Sequence, residues 1–251
     1  MAKVVPVSSK THQNKKLLPL KSFAFAQKNL VVPVIASECA MAARFFPLVF
    51  LEQQGECGLY ALLGLLGERN LFVADDGRWL ADYVPATLRR YPFVFAKAPE
   101  RDDYILCIDE ESGLLSEKEG NALFTAEGAA SELLNKALTF VSEYQRGALV
   151  SQAFCEEMKR LDLLKPFNIE LKNTNDKGRT LTGLLCVDEK KFNALSDEAF
   201  NALRAKGYLA LVYAHLFSLG SLAGLVRRLS AATAPGSKNT SEAKLPETFS
   251  F

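Results

Sequence analysis

The chain has 251 residues, enough for one large domain or two small ones and too many for a peptide or a disulfide-stapled miniprotein. Hydrophobic residues make up 49%, aromatics 10% and charged residues 24%, a globular balance that excludes collagen-like, coiled-coil and wholly disordered classes. Thirty Lys and Arg oppose 29 Asp and Glu, and a net charge of +1 gives no reason to expect a nucleic-acid partner.

Charge is nevertheless uneven along the chain. Lys3, Lys10, Lys15, Lys16, Lys21 and Lys28 all precede the first acid, Glu38, leaving 24 basic against 29 acidic residues for the remainder. Residues 1–16 therefore read as a basic, disordered tail, and no apolar stretch with a cleavage site follows it as in a secretory signal. The segments LVVPVIA (30–36) and FPLVFLE (46–52) read as strands around the helix-compatible SECAMAAR, with Pro33 and Pro47 suited to an edge or a strand start. CGLYALLGLLG (57–67) is an apolar run whose glycines favour a strand. Asp76-Gly77 between two hydrophobic runs marks a tight hairpin turn that needs positive φ. Pro85 suits the start of a short helix, ATLRRY, and Pro92 stops it before the strand FVFAKA.

YILCIDEE (104–111) is a further strand. Leu133, Leu134, Ala137, Leu138 and Val141 recur at helical spacing, as do Val150, Phe154, Met158 and Leu161, which predicts two helices broken near Arg146-Gly147. FNIELKN pairs with TGLLCVD across the turn NDKG, and Ser196 caps a helix that ends at Gly207. Gly207 to Val226 carries no fixed charge and is long enough to span a bilayer. Its interrupting glycines, serines, tyrosines and His215 favour instead a buried strand from about Tyr208 to Phe217, a turn and a helix through Leu229, with no transmembrane segment. Residues 233–251 lack an apolar face and read as a disordered tail. Strands come first and are then mixed with helices, without βαβ alternation. The expected fold is α+β: a single domain over 17–232 with a largely antiparallel sheet covered by helices.

Chemistry is sparse. Five scattered cysteines, Cys39, Cys57, Cys107, Cys155 and Cys186, read as reduced, buried thiols and favour a reducing, cytoplasmic compartment. His12 and His215 do not form a metal-ligand pair, so no metal is expected. Without a nucleophile elbow, a phosphate loop or a dinucleotide turn, no cofactor is expected either. Asp75 and Asp76 read as turn residues. Tyr213 and His215 share one face if their segment is a strand, and they are the candidates for acid-base catalysis. Arg78, Trp79, Arg89, Arg90 and Tyr91 combine guanidinium forks with aromatic faces, a set suited to an acidic ligand or partner loop. Basic residues at a helix end also complement its dipole, so bracing is the structural alternative for Arg89 and Arg90.

The run FAFAQKNLVVPVIASECAMAARFFPLVF, the block NLFVADDGRWLADYVPATLRRYPFVFA, LCIDEESGLL, GRTLTGLLCVDEKKFNAL and GYLALVYAHLFSL together resemble the bacterial SapC family over about residues 17–230. The order of Asn70, Gly77, Trp79, Pro85, Arg89, Arg90, Tyr91 and Pro92 is the most specific part. The resemblance implies association with a bacterial surface-layer or envelope system, with surface association of the protein following from it alone, and it carries over no catalytic residues. The expectation is a soluble accessory or binding protein, more an interaction module than an enzyme, that engages an acidic ligand or an envelope-system protein. A small-molecule enzyme acting on a peptide or amino-acid derivative through Tyr213 and His215 is the alternative. A membrane transporter component is the third reading.

Overall fold

Val4 and Val5 open the chain as a strand, β1 (Val4–Pro6), that pairs antiparallel with Tyr104–Asp109 and sets Val5 opposite Ile108. Ser8 caps a short helix, α1 (Ser9–His12), by accepting a hydrogen bond from the Lys10 N–H. A second strand, β2 (Lys16–Leu17), follows. The expected disordered tail at 1–16 is corrected: its lysines border side chains that pack, with Leu17 buried and Val5 and Val7 resting on the cluster around Phe93 and Ile108. The structure, a computed structural model, describes residues 3–65, 69–97, 104–171 and 179–233. The turn expected at NDKG and all but the first residue of the 233–251 tail lie outside the described residues.

The central sheet is built next. β3 (Val31–Pro33) leads through a 3-10 turn, Ala36–Glu38, into α2 (Cys39–Ala42), and then come β4 (Leu48–Gln53) and β5 (Glu56–Leu62). Gln54 and Gly55 both have positive φ, as a two-residue hairpin between twisted strands requires. At the second hairpin Gly77 has φ +86° and Val73 bridges Trp79, as the Asp-Gly signal predicts. α3 (Ala86–Arg89) follows Pro85 and is succeeded by β6 (Phe93–Lys97), β7 (Tyr104–Asp109), β8 (Leu115–Ser116) and β9 (Asn121–Ala122).

α4 (Glu132–Arg160) is one unbroken helix of 29 residues where two were expected. Gly147 does not break it, because Ile35 packs against the space a side chain would fill. β10 (Leu164–Leu171) and β11 (Arg179–Val187) form the last hairpin, followed by α5 (Glu189–Asn193), α6 (Asp197–Ala205), α7 (Tyr208–Ser218) and α8 (Leu222–Thr233). The strand expected at Tyr208–Phe217 is therefore a helix. In so uniformly apolar a run the period is masked; the buried set Tyr208, Val212, His215 and Ser218 repeats at helical spacing.

The domain is α+β as expected, with its strands divided among three antiparallel sheets. These are β10-β11-β4-β5-β3 at the centre, β1-β7-β6 beside it, and the small sheet β8-β2-β9. The main core contains Phe46, Phe50, Leu63, Trp79, Phe154 and Val212, and a second core gathers Leu17, Phe93, Ile108, Leu134 and Val141. α4 contributes to both.

Candidate functional site

The arginine and aromatic block folds around the short helix α3. Pro85 precedes it, and the last turn places Arg89 and Arg90 toward α4, the two side chains being half-buried. The Arg89 Nε donates to the Val84 carbonyl at 3.0 Å. Its guanidinium carbon lies 5.7 Å from the ring centre of Tyr83 and 5.1 Å from that of Phe140. Arg90 lies one step along α4, 4.6 Å from the centre of the Tyr144 ring. Phe140 and Tyr144 stand four residues apart on α4, which gives the two arginines successive aromatic seats.

Beneath this pair lies a carboxylate that the sequence did not single out. Glu38 is 6% exposed and accepts three hydrogen bonds: from the Tyr83 hydroxyl at 2.6 Å, the Ala86 N–H at 2.7 Å and the Ile35 N–H at 3.1 Å. It thereby ties the Ala36–Glu38 turn to the start of α3. Burial, then the Glu38 charge, raises the Tyr83 phenol well above the usual tyrosine range. The sequence signal that could have found Glu38 is its position as the first acid in an apolar helix-compatible segment, where burial demands partners.

The other members of the block serve different ends. Trp79 is 1% exposed, donates its indole N–H to the Tyr83 carbonyl at 2.8 Å and packs among Phe23, Phe46 and Phe72, which leaves no face for a ligand. Arg78 is engaged within its own turn, its Nε donating to Asp76 Oδ2 at 2.8 Å. Tyr91 stacks on Phe25 with ring centres 4.0 Å apart, and its phenol is raised by burial and then by Asp109.

Tyr213 and His215 do not form a pair. Two residues apart on α7 they point about 200° apart, so Tyr213 is 42% exposed while His215 is fully buried. The His215 Nδ1–H donates to the Leu48 carbonyl at 2.9 Å, and Nε2 accepts the Val187 N–H at 3.1 Å. Ser218 supports the same seam by accepting the Leu48 N–H at 2.8 Å. The imidazole thus pins α7 to β4 and β11, with both nitrogens committed to backbone. A cleft of about 470 Å³ runs along α4 past Glu132, Lys136, Phe140 and Glu143, and a smaller one of about 110 Å³ lies between Arg69 and Arg228; neither includes His215. No group of His, Cys, Asp or Glu among the described residues is arranged to hold a metal ion.

A family model described as SapC matches residues 7–225. No curated protein and no solved structure gives a significant match to the chain.

Proposed function

We propose that this chain, which belongs to the SapC family, is a soluble accessory or binding protein of a bacterial surface-layer or envelope-associated system that engages an acidic ligand or partner through Arg90. The observation that carries this reading is the state of that side chain. Its guanidinium rests over Tyr144, half-buried, and makes no hydrogen bond to any described residue. A planar fork held against an aromatic face, with its donors bonded to no described residue, suits a carboxylate or phosphate group. Arg89 is instead the brace, because its Nε satisfies a carbonyl at the entry to α3.

The enzyme reading loses its physical support with His215, whose nitrogens are both occupied away from either described cleft. The transporter reading rests on Tyr208–Ala232, a helical run long and apolar enough to cross a membrane. It weighs less here because Val212, His215, Ser218 and Leu225 of that run are buried in the domain. A cytoplasmic location agrees with the five free, buried thiols.

The test pairs pull-downs from the native organism with melting curves. Arg90→Lys keeps the charge but not the fork, and it should abolish recovery of the partner at unchanged melting temperature. Arg89→Ala should lower stability by about 1–2 kcal/mol through the lost carbonyl bond and aromatic packing. Full partner recovery with both Arg90→Lys and Arg90→Ala would remove Arg90 from the binding surface. Recovery of the wild-type protein mainly in a carbonate-resistant membrane pellet would promote the transporter reading.

A further inference from the structure

The segment that leads into the Gly77 hairpin meets the last helix around a different pair of arginines. Asn70 fixes the start of the segment, its side-chain amide donating to the Ala26 carbonyl at 3.2 Å and its Oδ1 accepting the Phe72 N–H at 2.9 Å. The Leu80 N–H then donates to the Phe72 carbonyl at 2.8 Å and closes the loop. Phe72 is thereby held, buried, against Trp79 with ring centres 5.9 Å apart. Arg228 of α8 sits on that ring. Its guanidinium carbon lies 4.6 Å from the Phe72 ring centre, and its Nη2 donates to the Leu80 carbonyl at 3.0 Å. Beside it opens the cleft of about 110 Å³, walled by the buried Leu71, Val73 and Leu80, bordered by Arg69 and flanked by Ala231 and Ala232 of α8.

The two arginines differ in their charge balance. Arg69 donates to the Asp75 carboxylate, whereas no described carboxylate pairs with Arg228. Burial holds Arg228 below the usual arginine range, yet a guanidinium keeps its proton at physiological pH. A half-buried cation thus borders an apolar cleft with no counter-charge among the described residues, where burial favours a paired one.

We propose that the cleft between Arg69 and Arg228 binds a short aliphatic monocarboxylate, whose carboxylate pairs with the Arg228 guanidinium while its chain lies on Leu71, Val73 and Leu80. The shape of the charge selects this class. A phosphate carries oxygens on every side and would set some of them against Leu and Val side chains, whereas a monocarboxylate confines its oxygens to one end. Size agrees: at about 30 Å³ per water, the cleft has room for about four to six non-hydrogen atoms, the range from acetate to butyrate. None of its lining residues touches the Arg90 seat over Tyr144, so the two sites stand or fall separately.

The experiment titrates the full-length protein, methyl-labelled at Leu and Val, with acetate, propionate and butyrate at constant ionic strength, and follows methyl NMR shifts and calorimetric heats. Saturable shifts are expected at the methyls of Leu71, Val73 and Leu80, with affinity rising about threefold to fourfold per added methylene. Arg228→Lys keeps the charge but not the planar fork and should weaken butyrate binding about tenfold. Ala232→Leu keeps the arginine but fills the cleft, and it should weaken binding by at least as much. The shifts are read in the wild-type protein, so a variant that misfolds cannot mask the outcome. Absence of saturable shifts at these methyls would overturn the proposal and leave Arg228 as a clamp between α8 and the hairpin. An equal response to uncharged butyramide, or tighter binding of inorganic phosphate than of butyrate, would overturn it as well. Tighter binding of N-acetylglutamate amide than of propionate would place the carboxylate on a protein side chain and overturn the assignment to a free acid.

Discussion

His215 is held in one protonation state by its surroundings, and that has a pH signature. Burial, only partly opposed by the hydrogen bond to Leu48, lowers its pKa from 6.5 to about 4. As pH falls, the unfolded chain takes up a proton near 6.5 while the folded protein resists until about 4. The unfolded state therefore binds more protons within that window. The contribution is complete above pH 6.5, is lost as pH falls through about 4, and is worth on the order of 3 kcal/mol. Glu157, held at about 2 first by Arg160 and then by Lys206, loses its own contribution lower, between pH 4.5 and about 2. Urea melts at about pH 7 and about pH 4.5 should show this loss in the wild-type protein. In His215→Gln, stability at neutral pH should fall by roughly 2–3 kcal/mol and the slope across the window should largely vanish. An unchanged slope would show that other groups govern acid unfolding.

At the scale of elements, the hairpin at Gly77 gives the sharpest test. Its φ of +86° lies in the left-handed region, and a Cβ there would collide with the Ser22 hydroxyl. Gly77→Ala should therefore cost about 2–3 kcal/mol, and removing the Ser22 hydroxyl in Gly77→Ala/Ser22→Ala should recover only the steric part, as denaturant melts would resolve. Elements governed by local backbone demands were legible in the sequence. Ser196 does cap α6, accepting the Ala199 N–H at 3.3 Å, and Gly207 does adopt positive φ at its end. Where tertiary context decides, the sequence misled. Ile35 fills the space beside Gly147, His215 meets backbone groups of two strands, and Val5 finds Ile108 more than a hundred residues away. The site divides in the same way. The arginines of α3 were visible as a cluster, whereas Glu38, 45 residues from its partner Tyr83, and the aromatic seats Phe140 and Tyr144 have no local pattern to announce them.

For the whole molecule, the N-terminal residues are a structural element rather than an appendage. β1 completes the sheet against β7, and the Lys3 N–H is bonded to Asp109 at 3.0 Å. Fully buried His12 faces Glu110 at 3.3 Å. Deleting residues 1–7 would leave the outer edge of β7 unpaired and uncover part of the second core. The melting temperature of that truncated protein should fall by about 4–8 °C, corresponding to roughly 2 kcal/mol, as circular dichroism would measure. A melting temperature equal to that of the full chain would return the segment to the status of a solvated tail.

The length of α4 has its own consequence for how this domain comes apart. Leu134, Ala137 and Val141 near its start are buried in the second core, and Phe154, Cys155 and Met158 near its end are buried in the main one. At the rise of an ideal helix these 29 residues make a strut about 44 Å long. Loosening either core withdraws packing from a helix that the other needs. The two are therefore coupled into one cooperative unit, and heat or denaturant should melt them together rather than peel one away from the other.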